Sequence, residues 1–281
     1  MKTILVPVDF SASSHNAAAY SVDLANGRAF DEIVLMANIH ISLLEQFLPN
    51  PDLIQLSAED SQRRKKLLLQ RLEELKLRLL KKLNPGILIR VILSELPLIR
   101  SILEQVKKKD ACLVVIGSNS AKIEGSSIGQ QLIELTKVIP VPVLIVPPES
   151  RYRPMTDALV AGEFSSFSNV EPLGRLEKIR EWHPARLLLI NIDTPKKGAG
   201  PDELSQEKKQ AFNRLLQGVD YELTTLHDKD ILQGVIHFAD ERDVPLIIAL
   251  PGKHSFLYRL THQNIEHGLS LNSKRPVLIL K

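Results

Sequence analysis

A chain of 281 residues is long enough for two domains of ordinary size, each burying its own apolar core. Its composition, 44% hydrophobic and 25% charged, excludes a disordered chain or a fibre. A formal net charge of +3 is too small over this length to make nucleic acid or an anionic membrane the main partner.

Residues 4–8, Ile-Leu-Val-Pro-Val, read as a strand buried on both faces, and Ser11-Ala12-Ser13-Ser14 then supplies hydroxyls that cap a helix. That helix is predicted over residues 14–26, packing through Ala17, Ala18, Val22 and Leu24, and Gly27 ends it. A second strand covers residues 32–39. A long amphipathic helix follows over 57–83, bounded by Pro49-Asn50-Pro51 and Asn84-Pro85-Gly86. Its charged run Arg63-Arg64-Lys65-Lys66 reads as the solvated side of a core-packing helix. Residues 87–93 form a third strand, 96–109 a helix with Pro97 in its first turn, 112–116 a fourth strand and 142–146 a fifth. The single Cys112 lies in an apolar run, where a buried, inert thiol is expected, and one cysteine makes no internal disulfide. Together with the absence of a leader pattern or a spanning apolar stretch, this predicts a cytoplasmic protein with no membrane contact.

The second half repeats the first. Ile4-Leu5-Val6-Pro7-Val8-Asp9-Phe10-Ser11 is matched by Ala158-Leu159-Val160-Ala161-Gly162-Glu163-Phe164-Ser165, and the closing Pro142-Val143-Leu144-Ile145-Val146 by Pro276-Val277-Leu278-Ile279-Leu280. Strands are predicted over 158–161, 186–192, 221–226, 246–250 and 277–280. The openings lie further apart than the closings, so the first half carries about twenty extra residues, placed at 41–60. Two domains are expected, 1–148 and 153–281, joined by a short linker stiffened by Pro147-Pro148. Strands alternating with helices give an α/β fold: two doubly wound, mainly parallel sheets covered on both faces.

The opening Val6-Pro7-Val8-Asp9-Phe10-Ser11, the strand end Val114-Val115-Ile116-Gly117-Ser118 and the closing Pro142-Val143-Leu144-Ile145-Val146 together resemble the universal stress protein family. The resemblance implies five-stranded sheets of order 3-2-1-4-5. It also implies pairing of the copies through their last strands, here as an internal pseudo-dimer, with further homo-oligomerisation left open. The family's nucleotide-binding subgroup carries a glycine, two residues, a second glycine, nine residues, then a third glycine followed by Ser or Thr. Such glycines let backbone amides approach phosphate oxygens, beside a helix N-terminus that favours an anion. Here Gly117 opens the pattern, Ser120 holds the second glycine position, and Gly129 arrives one residue early, followed by Gln130. In the second half the spacing of the closing phrases, from Pro142 to Pro276, brings Pro251 to the first position and His254 to the second. Proline has no N–H to donate and a bulky residue blocks backbone approach, so no family-type site is expected there.

By resemblance, Pro7, Val8 and Asp9 form one wall of an N-terminal crevice, Asn38 lies near a base, and Gly117, Ser118, Asn119, Ser120, Gly129 and Gln130 face phosphate. Asp9 has a second reading, as the cap of the helix that follows. The implied cofactor is ATP with magnesium, in the N-terminal half at most. No nucleophile elbow, phosphate-loop lysine motif or His-Glu-x-x-His pair occurs, so no enzyme is expected. The chain reads as a tandem, non-catalytic stress-response binding module. The alternative is a protein-interaction scaffold in which both loops have been repurposed.

Overall fold

The structure, a computed structural model, describes residues 2–27, 30–39, 51–109, 111–118, 136, 138–162, 186–192, 210, 213–214, 216, 218–226, 231–250 and 274–280. Ten strands are described: β1 Thr3–Pro7, β2 Glu32–Asn38, β3 Leu88–Ser94, β4 Ala111–Gly117, β5 Val143–Val146, β6 Asp157–Gly162, β7 Arg186–Ile192, β8 Asp220–Leu226, β9 Ile247–Ala249 and β10 Val277–Ile279. They form one sheet in the order β3-β2-β1-β4-β5-β10-β9-β6-β7-β8. The first half therefore has the 3-2-1-4-5 order, and the second half repeats it in mirror sequence across the joint. Pairing is parallel within each half. At the joint β5 meets β10 antiparallel, Leu144 opposite Leu278.

Four helices are described: α1 Ala12–Asn26, α2 Pro51–Leu80, α3 Leu98–Lys109 and α4 Ile231–Glu241. Right-handed crossovers put α1 and α2 on one face and α3 on the other, because the chain moves outward from β1 to β3 and then returns to β4. Side chains alternate across each strand accordingly. Ile4, Val6 and Val8 join α1 and α2 residues in one core layer, while Leu5 joins Ile102 of α3 and Val235 of α4 in the other. Both layers run on through the joint, taking in Leu144 and Leu278 above and Ile145 and Ile279 below.

Helix α1 starts where its hydroxyls allow. Ser11 is its N-cap, its Oγ accepting from the Ser14 N–H at 3.2 Å, so the helix begins at Ala12, two residues ahead of the predicted start. Pro51 opens α2, where a missing N–H costs nothing, so this helix begins six residues before the predicted 57. Cys112 departs from expectation. The β1/β4 register shifts between Thr3 and Ile4, so Cys112 is the extra residue of a bulge and lies exposed, its Sγ 3.6 Å from the Thr3 carbonyl oxygen. No helix among the described residues is long and apolar enough to cross a membrane.

Candidate functional site

The chain leaves β1 for α1 on one face and reaches β4 from α3 on the other. The carboxyl ends of these neighbouring strands thus flank a topological switch, where open α/β sheets accommodate ligands. Gly117 closes β4 directly against the first turn of α1. A Cβ at this position would fall into the backbone of Ser13 and within 2.8 Å of the Ser14 nitrogen, so only glycine lets strand and helix approach this closely. The next residue, Ser118, donates its N–H to the Val146 carbonyl at 2.9 Å, which fixes it between β4 and β5. Its side chain is buried, and its Oγ has no hydrogen-bond partner among the described residues. A buried hydroxyl without a partner is costly, and such groups mark places where a ligand or water completes the bonding.

Asp9 serves the local turn. Its Oδ1 accepts from the Ser11 N–H at 3.0 Å and from the Ser11 Oγ at 2.5 Å, and Ser11 Oγ lies 3.0 Å from Ser13 Oγ. The carboxylate thus orients the hydroxyl that caps α1, and the chain of polar groups Asp9, Ser11 and Ser13 lines the helix N-terminus beside Gly117. Pro7 and Val8 are buried; Val8 sends its N–H to the Met36 carbonyl at 2.7 Å and its side chain into the core. Asn38 points to the α3 side, where its Nδ2 donates to the Leu96 carbonyl at 2.8 Å and to the Ser101 Oγ at 2.7 Å. Ser101 also meets Ser94 Oγ at 2.7 Å. The donors of Asn38 are therefore committed to fastening the β3–α3 turn. Asn119, Ser120, Gly129 and Gln130 lie outside the described residues, as do Glu163, Pro251, His254 and residues 41–50 of the extra segment.

Sequence patterns do not reveal the outer rim of this site. Phe10 has φ 62°, the left-handed region that costs a bulky residue energy. The Arg71 guanidinium of α2 lies 4.1 Å over its ring, and His15 meets the ring edge with centroids 6.2 Å apart. Burial, and then the charges of Arg78 and Arg71, hold the His15 imidazole below its ordinary value. The rim on the α2 side is therefore cationic, next to a helix N-terminus of the same polarity. Its one sequence signal is the seven-residue spacing of Arg71 and Arg78, which places both on one side of α2. Among the described residues no group of three or more His, Cys, Asp and Glu converges as a metal site.

No curated protein matches the chain. Among solved structures it is similar to a universal stress protein from Archaeoglobus fulgidus DSM 4304, at 16% identity and TM-score 0.63, covering 99% of this chain and 98% of that one. It is also similar to a putative universal stress protein from Pseudomonas aeruginosa UCBPP-PA14, at 13% identity and TM-score 0.53, covering 100% and 93%. A functionally unknown protein from Pseudomonas aeruginosa PAO1 gives 14% identity and TM-score 0.53, covering 100% and 92%. At these identities the likeness establishes the fold, across both halves. The family model described as Universal stress protein family matches residues 1–147, and the chain belongs to that family.

Proposed function

We propose that this protein is a cytoplasmic, non-catalytic stress-response module. In this reading it comprises two domains, 1–148 and 153–281, that form an internal pseudo-dimer and bind one ATP-type nucleotide in the N-terminal half. The observation that carries the nucleotide reading is the buried Ser118 Oγ, without a partner among the described residues, directly after Gly117, which packs against the first turn of α1. A phosphate oxygen would accept from this hydroxyl, and the positive end of α1 favours the same charge. Gly117 keeps the backbone bare where the phosphates would approach, Asp9 and Ser11 hold the first turn of α1 in place, and Ser120, Gly129 and Gln130 would complete the cradle. Magnesium would arrive coordinated to the phosphates. The restriction to one half rests on the sequence, which has Pro251, with no N–H to donate, and the bulky His254 at the positions matching Gly117 and Ser120.

A thermal-shift titration with ATP and magnesium tests this. A ligand that binds only the native state at one hundred times its Kd stabilises it by about 2.7 kcal/mol, a shift of several degrees. Ser118→Ala should reduce the shift and leave the fold intact. A second reading, a scaffold for protein contacts, is favoured by the commitment of Asp9 to Ser11 and of Asn38 to Leu96 and Ser101. Absence of any shift at millimolar nucleotide would select it.

A further inference from the structure

We propose that the outer flank of α2 and the open edge of β3 form a two-fold docking surface for a second copy of this chain. Strand β3 ends the sheet: β2 pairs with one side of it, and no described strand pairs with the other. An open edge invites strand addition unless charge, proline or a bulge protects it. Between Leu88 and Ser94 the only charge is Arg90, whose Nε donates to Glu32 Oε1 of the neighbouring strand at 2.8 Å. The opposite edge, β8, is protected in the expected way, with Asp220 and with Glu222 tied to Arg186 and Arg242.

Above this edge, α2 exposes leucines. Leu69 and Leu80 are 45% and 39% exposed and Leu77 is 60% exposed, although the same helix buries Leu72, Leu75 and Leu79. The rotation of α2 is fixed on both sides. Arg71 lies over Phe10, toward α1, whereas Lys65 reaches Glu95 just past β3 at 2.5 Å. Residues 65, 69, 73, 76 and 80 follow each other at helical spacings of three and four, so Leu69, Glu73, Lys76 and Leu80 share the flank that overlooks β3.

This flank complements itself. The midpoint between Glu74 and Leu75 is equally distant from Leu69 and Leu80, and from Glu73 and Lys76. A two-fold axis through it lays α2 antiparallel on its copy, with Leu69 facing Leu80 of the other copy and Glu73 facing Lys76. Glu73 and Lys76 already form an ion pair at 3.2 Å within the helix, so association joins two pairs into a network of four alternating charges. The strand beneath shares the axis. From Lys65 the midpoint is about 14 Å along α2, and the same distance back along β3 from Glu95 is about four residues, which is Val91, the centre of the strand. One axis thus pairs β3 with β3 antiparallel and α2 with α2, the arrangement that a symmetric dimer requires.

The test is the mass of the full chain by sedimentation at micromolar concentration. The wild type is expected at twice the chain mass. Leu69→Glu together with Leu80→Glu should give the single mass with unchanged helical circular dichroism. Glu73→Lys and Lys76→Glu should each weaken the dimer about tenfold, and the double reversal should restore it, because the network re-forms with its signs exchanged. A monomeric wild type, a leucine variant that keeps the doubled mass, a double reversal no tighter than either single change, or a ladder of higher masses would overturn the proposal.

Discussion

Asn16, one turn into α1, donates its side-chain amide to the Ser150 carbonyl oxygen at 2.9 Å across 134 residues of sequence. The same Nδ2 donates to the Pro147 carbonyl at 2.8 Å, and both ends of the linker turn 147–150 are thereby tied to the helix of the candidate site. Tyr152 continues the contact, its ring edge-on to Tyr20 at 5.5 Å and its hydroxyl against Gly27, where a Cβ would come within 2.7 Å of it. The linker is a strap along α1, not a tether. Asn16→Ala removes both hydrogen bonds and leaves two linker carbonyls to find other partners, so it should cost about 1–2 kcal/mol in urea denaturation. Asn16→Asp, which keeps the shape but cannot donate, should cost at least as much. Equal stability of Asn16→Ala and wild type would mean that the strap carries no energy.

Gly117→Ala tests the contact on which the site is built. The added methyl would meet Ser13 and Ser14 backbone, not the end of a side chain, so relief requires α1 to slide on the sheet. Overpacking of this kind typically costs about 1–3 kcal/mol. Nucleotide-induced stabilisation should fall together with stability, because the displaced first turn carries the Asp9 and Ser11 arrangement. A variant as stable as wild type would show that α1 and β4 are loosely apposed.

Ser11→Ala separates the two roles read for Asp9. Ser11 caps α1 and Asp9 orients the Ser11 hydroxyl, so loss of the cap should cost about 1 kcal/mol. If Asp9 acts only in the local turn, Asp9→Ala in the Ser11→Ala background should add no more than the bond from the backbone N–H of residue 11, about 1 kcal/mol, and leave the nucleotide response unchanged. A further loss of nucleotide response in the double variant, measured by thermal shift, would assign the carboxylate to the ligand as well.

What the sequence disclosed, and what it did not, follows from the range of the forces concerned. The run at Ile4 to Val8 is apolar because both sheet faces are covered, and each strand of the repeat carries the same local signal, so the succession of strands along the chain was legible, while their 3-2-1-4-5 order came only with the family resemblance. Residues whose role depends on partners far along the chain were not. Asn38 is level with Ser94 in the β2/β3 register, and only that register brings it to Leu96 and Ser101. Cys112 is exposed because a bulge against Thr3 interrupts the alternation, which no apolar run announces. The left-handed Phe10 and the arginine above it are likewise visible only once α1 and α2 lie side by side.

His15 should make stability fall on mild acidification. Its imidazole is held below the ordinary 6.5, first by burial and then by Arg78 and Arg71, while hydrogen bonding to the Ser11 backbone offsets part of this. In the unfolded chain the same group protonates near its ordinary value. Between the two values the unfolded state binds more protons, so stability is lost as pH drops through that window and is unaffected above it. His15→Gln cannot titrate, so its urea midpoint should change less from pH 8 to pH 5. Parallel pH profiles for the two proteins would place the protonation penalty elsewhere.

Asp243 governs a second, more acidic window. Arg153, just past the strap, grips it with Nη1 at 2.9 Å and Nη2 at 2.7 Å, and Arg275 reaches it at 3.3 Å while also bonding Asp240 and the Val244 carbonyl. These partners, Arg153 foremost, lower its carboxyl from 3.8 to about 2. The unfolded carboxyl protonates first as acid is added, so the contribution is fully present above 3.8 and disappears as pH falls toward about 2. The group is exposed and salt screens it, so the effect should shrink at high ionic strength. Asp243→Asn keeps a residue that tolerates the φ of 48° at this turn and removes the charge. Its acid denaturation, followed by circular dichroism, should lose the salt-sensitive part of the slope between these two pH values. Retention of that slope would detach the Arg153 and Arg275 contacts from acid stability and leave the strap held at its first-half end alone.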